Sequence, residues 1–171
     1  MIDSPIVTVD ISEYVNLHDL AEHKGRLMGS LNGSHQDGTA NWIGILGELV
    51  FCEFVHGAEQ TQSYEHDVRI GDVTLDIKTK GRHCVPKPHY DALIADWNTD
   101  QNCDYYYFMS YFVEESIMSF CGFISPQEFY RKATFYAAGD IDASNGYEFP
   151  ADMHNLSYKN LYQLPQILEY A

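Results

Sequence analysis

At 171 residues the chain is long enough for one domain with a proper core, and its 45% hydrophobic and 20% charged residues are ordinary for a globular protein. No apolar run approaches a membrane span and no signal peptide opens the sequence, so a cytoplasmic protein is expected. The net charge of −15 excludes a surface built broadly for phosphate binding, and the four scattered cysteines (Cys52, Cys84, Cys103, Cys121) form no zinc or iron–sulfur spacing.

In chain order, residues 1–10 read as a short extended arm. Residues 12–31 suggest a helix with Val15, Leu20, Leu27 and Leu31 apolar, weakened by Gly25 and Gly29. Residues 32–38 form a polar loop that would border a substrate groove. Residues 41–56 are apolar nearly all round and predict a buried helix that stops at Gly57. A Glu inside such a helix is costly unless paired or bound to a metal, so Glu48 stands out; Gly44 and Gly47 flank it and would admit a neighbouring backbone. A strand near 58–64 leads into a hairpin over 65–80. Residues 81–89 carry Pro86 and Pro88 and must be loop, and 90–97 fit a short helix. Residues 104–112 are aromatic on both faces, as a central strand would be, and 116–124 read as a further strand. Ser125-Pro126-Gln127-Glu128 opens a helix with a capping box. Residues 138–155 look like loop, and 157–170 have helical character broken at Pro165.

The hairpin is the most informative stretch. Gly71 in the first loop position suits a II′ turn. Counting outward, Ile70 faces Val73, Arg69 faces Thr74, Val68 faces Leu75 and Asp67 faces Asp76. One face is then Val68, Ile70, Val73, Leu75 and Ile77; the other carries Asp67, Arg69, Thr74, Asp76, Lys78 and Lys80. Opposed carboxylates destabilise a sheet unless something compensates, and a divalent metal does so. Hard oxygen ligands suit Mg²⁺, with Mn²⁺ as a substitute. The Ile77 carbonyl, between Asp76 and Lys78, is a further candidate ligand. Lys78 would orient a water or neutralise developing charge.

An Asp, then a strand ending Asp-Ile-Lys, with an acidic residue on a preceding helix, resembles the PD-(D/E)XK nuclease superfamily over roughly residues 41–112. His66 stands where a Pro often precedes the Asp, and Asp76 replaces the commoner Glu. The resemblance implies an α/β domain with a restriction-endonuclease-like αβββαβ core, a mixed sheet flanked by helices, and additions over 113–171. It implies catalytic and metal-binding roles for Asp67 and Asp76, an assisting Glu48, and Lys78 beside the attacking water. Nucleic acid, most naturally DNA, would be the partner, and a homo-oligomer would suit cutting of two strands.

Of the ten basic residues, Arg69, Lys78, Lys80, Arg82 and Lys87 fall together, so the one locally basic stretch coincides with the proposed site. Lys80, Arg82, Arg69, Lys87 and His66 are therefore candidate nucleic-acid contacts. The alternative reading is a non-catalytic acidic interaction protein on the same fold, and a third is a metal phosphohydrolase acting on nucleotides. His83, Cys84 and His89 lack the second half of a soft-metal site. No Walker-type phosphate loop, Gly-X-Ser-X-Gly or dinucleotide fingerprint is present.

Overall fold

The computed structural model describes residues 6–29, 41–98 and 101–163. The protein is α/β. Strands β1 (Val7–Asp10), β2 (Ala58–Gln60), β3 (Val68–Ile70), β4 (Val73–Arg82), β6 (Tyr105–Phe112) and β7 (Ile117–Ile124) form a six-stranded sheet in the order β1-β7-β6-β4-β3-β2. Every pairing in it is antiparallel except β4 with β6, so the sheet is mixed. Strands β5 (Asp91–Ala95), β8 (Thr134–Tyr136) and β9 (Met153–Ser157) form a second, antiparallel sheet in the order β5-β9-β8.

Period-two alternation along β6 sorts the core into two layers. Tyr107, Met109 and Tyr111 pack with Leu75 and Ile77 against helices α1 (Val15–Gly29) and α2 (Asn41–Phe54). Tyr106 and Phe108 face the other way, onto Ala92, Ile94 and Leu156 of the second sheet and Phe129 of helix α3 (Pro126–Lys132). Helix α2 presents Leu46, Val50 and Phe51 fully buried, as its uniformly apolar sequence requires. Helix α3 begins as its sequence predicts, with the Ser125 hydroxyl accepting from the Glu128 amide and Pro126 in the first turn.

Several expectations are corrected. The arm contains β1, which pairs with the edge of β7. Residues 90–97 are not a helix: they form β5 and enter a 3₁₀ turn, Asp96–Asn98. Ala92 and Ile94 alternate with half-buried neighbours and pair with β9, some sixty residues away, and that pairing overrides local helix propensity. The second helix of the αβββαβ order is thus replaced, among the described residues, by a strand of the second sheet. Strand β9 takes the end of the stretch 138–155 expected to be loop and the first residue of the expected last helix, and β8 lies just before that loop. Residues 158–160 form a single 3₁₀ turn, followed by a bridge between Tyr162 and Phe123 rather than a longer helix. The polar loop 32–38 and the end of the expected last helix, 164–171, lie outside the described residues. No helix among them is long and apolar enough to cross a membrane.

Of the two glycines beside Glu48, one sets how closely α2 lies above β4. A Cβ at Gly47 would lie 1.8 Å from Thr79 Oγ1 and 2.8 Å from Thr79 Cβ, whereas at Gly44 it would meet nothing within 4 Å. Only Gly47 therefore allows a close approach. Gly47→Ala is expected to destabilise by about 1–3 kcal/mol through overpacking, which outweighs the ~1 kcal/mol helix-propensity gain. Gly44→Ala is expected to stabilise by about 0.5–1 kcal/mol. Urea denaturation of the pair checks both signs.

Candidate metal and catalytic site

The hairpin adopts the register read from its sequence: Val68 pairs with Leu75, Arg69 with Thr74 and Ile70 with Val73. Gly71 sits at φ 57° and Asp72 keeps a negative φ, the sign pattern of a II′ turn. Beyond Val68 the ladder changes character. The Asp67 amide still donates to the Leu75 carbonyl at 2.9 Å, but the Ile77 amide is taken by the Asp67 side chain, donating to Oδ2 at 2.8 Å. The Asp67 carboxylate is thereby pinned beside Asp76.

Asp76 is 2% exposed, so the face expected to be polar and open is closed over at this point. The Lys78 ammonium stands 2.6 Å from Asp76 Oδ2, an ion pair by distance, yet outside hydrogen-bonding angles. Asp76 Oδ2 is consequently a buried oxygen with no hydrogen-bond donor. Lys78 Nζ does donate to Gln101 Oε1, at 2.6 Å, and lies 5.8 Å from the centre of the Tyr106 ring.

Helix α2 delivers the third carboxylate. Glu48 Oε2 accepts from Gln60 Nε2 at 3.3 Å, and Gln60 Oε1 accepts from Lys24 Nζ at 3.4 Å, so a polar chain runs from α1 to Glu48. Burial, and then the nearby Asp76, push the Glu48 pKa up to about 7. Burial pushes the Asp67 pKa to about 8, helped by Glu48, by Asp76 and by a proton-sharing contact with Asp76, against the opposing Ile77 amide. Three carboxylates thus meet in a poorly solvated place, with Lys78 as the cation among them. Cys103 joins the edge of the cluster, and burial followed by Asp76 raises its thiol pKa to about 12.

One ammonium, 2.6 Å from Asp76 Oδ2, faces three carboxyl groups there. No three His, Cys, Asp or Glu side chains among the described residues stand as a closed ligand cluster. Mg²⁺ does not demand one, since it commonly takes one or two carboxylates and fills its other positions with water and phosphate oxygens. Asp67, Asp76 and the Ile77 carbonyl fit that ligand set, with Glu48 close enough to Asp76 to be raised by it and to Asp67 to raise it.

The candidate nucleic-acid contacts part company. Lys80 is exposed and lines two adjoining cavities; desolvation there, and then Arg82, lower its pKa to about 8. Arg82 is half-buried and committed to the protein. Its Nη2 donates to the Asp91 carbonyl at 3.0 Å and to the Tyr158 hydroxyl at 3.1 Å, and its guanidinium lies over Tyr90 and Tyr158. Arg69 is exposed, 3.6 Å from Glu59, and Lys87 is exposed in the proline loop. His66 adjoins Asp67; the Thr61 hydroxyl gives its only proton to the His66 carbonyl at 2.6 Å, so His66 Nδ1 donates to that hydroxyl at 3.0 Å. His83 pairs with Glu114 while His89 packs edge-on to Tyr90, so no soft-metal site assembles around Cys84. Sequence reasoning missed Gln60 and Gln101, polar residues beside loops with no periodic signal to announce them. No family model matches this chain, and no curated protein matches it.

Proposed function

We propose that the protein is a Mg²⁺-dependent nuclease that hydrolyses phosphodiester bonds, most naturally in DNA, on a restriction-endonuclease-like core. The observation that carries the reading is the meeting of Asp67, Asp76 and Glu48 beside Lys78, in the chain order of the PD-(D/E)XK pattern. The order α2, then β2, β3 and β4 antiparallel, then β6 parallel to β4, supports the core; β5 and its 3₁₀ turn stand in for the crossover helix.

Asp67 and Asp76, with the Ile77 carbonyl, hold the ion, and Glu48 assists. Bound Mg²⁺ supplies charge stabilisation at the scissile phosphate and makes a water more acidic. Lys78 orients that water and offsets charge on the phosphate as one P–O bond forms and another breaks. Gln101 fixes the Lys78 ammonium, so Gln101→Leu should lower kcat about tenfold with little change in KM, and Gln101→Asn should recover part of it. Steady-state cleavage kinetics check this.

The net charge of −15 favours a second reading, a non-catalytic acidic interaction protein on the same core. Cleavage of linear duplex, supercoiled circle, single-stranded DNA, branched junction and RNA in Mg²⁺ or Mn²⁺, wild type against Lys78→Ala, separates the two. Cleavage by the wild type that disappears in the variant supports the nuclease. Wild-type inactivity on every substrate, with no metal-induced rise in melting temperature, moves the assignment to the interaction protein.

A further inference from the structure

Strand β4 outruns its hairpin partner. β3 pairs with it only as far as Leu75, and beyond that the Ile77 amide is taken by the Asp67 side chain. From Lys78 to Gly81 the side of β4 that faces away from β6 has no strand partner among the described residues. Main-chain groups alternate sides along a strand. The Leu75 carbonyl and the Ile77 amide point away from β6, so the amides of Thr79 and Gly81 point the same way, outward from the sheet edge. An unpaired edge of this kind leaves its N–H donors open to a ligand.

A cavity of about 600 Å³, a volume in the range of ligand sites, follows that edge. Its floor runs from Lys78 to Gly81, with Ile43 of α2 on one side and Leu93 and Met153 of the second sheet on the other. Lys80 is the unmatched charge there. Acidic residues outnumber basic ones by 25 to 10, yet the Lys80 ammonium makes no hydrogen bond and no ion pair with any described residue. Partial desolvation makes that charge costly until an anion meets it. Asp91, the one acid lining this cavity, is not within ion-pair distance of Lys80, and its Oδ2 accepts from Asn155 Nδ2 at 3.5 Å. Lys78 and Lys80 share a strand face, two residues and so about 6.6 Å apart in rise. That is close to the interval between neighbouring phosphates of an extended nucleic-acid strand. An extended peptide would also pair along the edge, but it would leave the Lys80 charge unmatched.

We propose that the free edge of β4 holds the phosphate next to the one being cut, on the Lys80 ammonium and the outward Thr79 and Gly81 amides, with the nucleic acid lying as one strand between α2 and the second sheet. The inference rests on the nuclease reading and names the substrate class of that site: single-stranded nucleic acid, since a paired second strand would meet one of the two walls.

The test is a thermodynamic cycle read as binding. In a Lys78→Ala background with Mg²⁺ present, fluorescence anisotropy compares a labelled single-stranded oligonucleotide with one of the same sequence in which every second linkage is a neutral methylphosphonate. The second has no two neighbouring phosphates, whatever register it binds in. Lys80→Gln is expected to weaken binding of the first about tenfold and of the second less than about twofold, and Lys80→Arg to keep most of that difference. Because Lys80 has no protein partner among the described residues, the melting temperature should not change. Equal effects on both oligonucleotides, or no effect on either, overturn the proposal. So does a blunt duplex of the same sequence that binds as tightly as the single strand. Cleavage by protein with Lys78 intact judges the nuclease separately: coupling without cleavage leaves the phosphate site standing and removes the nuclease, and cleavage without coupling does the reverse.

Discussion

Asp76→Asn is expected to reduce nucleic-acid cleavage by at least about 100-fold while the fold survives. The substitution keeps volume and planarity at a position that is 2% exposed, so it opens no cavity. Two stability effects oppose each other. Breaking a buried ion pair by removing one partner costs about 3–5 kcal/mol when the other is stranded. Lys78 is not stranded, because Gln101 Oε1 accepts from its ammonium at 2.6 Å and its side chain keeps some contact with solvent. Against that residual cost, Asn removes the negative charge that helps raise the Glu48 and Asp67 pKa values and offers an N–H to the Asp67 side chain. The melting temperature in EDTA should therefore move little while activity is lost. Loss of activity accompanied by unfolding would make Asp76 a structural residue, and full activity in a folded variant would remove it from the catalytic machinery.

The second large effect is in the pH dependence of stability. Folded Glu48 and Asp67 hold their protons up to about pH 7 and about pH 8, whereas their ordinary values are 4.5 and 3.8. The folded state thus binds more protons than the unfolded state between those limits, and their contribution to stability is full below about pH 4 and lost as pH rises through 7 and 8. Removing the titrating groups should remove that loss. In EDTA at pH 8.5 the variants Glu48→Gln and Asp67→Asn are each expected to melt above the wild type, by at least about 2–4 °C for each kcal/mol recovered at this chain length. Toward pH 4 the melting curves should converge. Saturating Mg²⁺ at pH 8.5 should reverse the order, because the ion stabilises only the protein that retains its ligands. Scanning calorimetry over pH 4–9, with and without Mg²⁺, reads all three results. Parallel pH profiles for wild type and variants would mean that these carboxylates are solvated like ordinary surface groups.

What was legible in the sequence was local. Alternation around Gly71 specified the pairs Ile70–Val73, Arg69–Thr74 and Val68–Leu75, because a two-residue turn leaves one pairing that keeps Val68, Ile70 and Leu75 buried, whereas Asp67, expected opposite Asp76, bonds the Leu75 carbonyl and the Ile77 amide instead. The apolar run of α2 singled out Glu48, and the double-faced aromatic run of β6 marked the central strand by the same logic. What escaped was non-local. Strand β5 is made by its pairing with β9, and the sequence from Asp91 to Ala95 carries no β-branched residue except Ile94 to declare it. The burial of Asp76 was hidden for the same reason, since Tyr106, its partner on β6, is buried under the second layer. Arg82 and Lys80 look equivalent in sequence, two basic residues two apart. Only the placement of Asp91 and Tyr158 shows that Arg82 braces the second sheet while Lys80 faces the cavities.

The central claim is that Asp67 and Asp76 hold a divalent ion beside Lys78. Titration of Mn²⁺ into wild type and Asp76→Asn at pH 7, following the free-ion EPR signal, tests it without requiring a substrate. The account predicts a saturable site in the wild type that weakens at least about tenfold in the variant, with protons released on binding as Glu48 and Asp67 give them up. Equal Mn²⁺ uptake by the two proteins, or none by either, would contradict it.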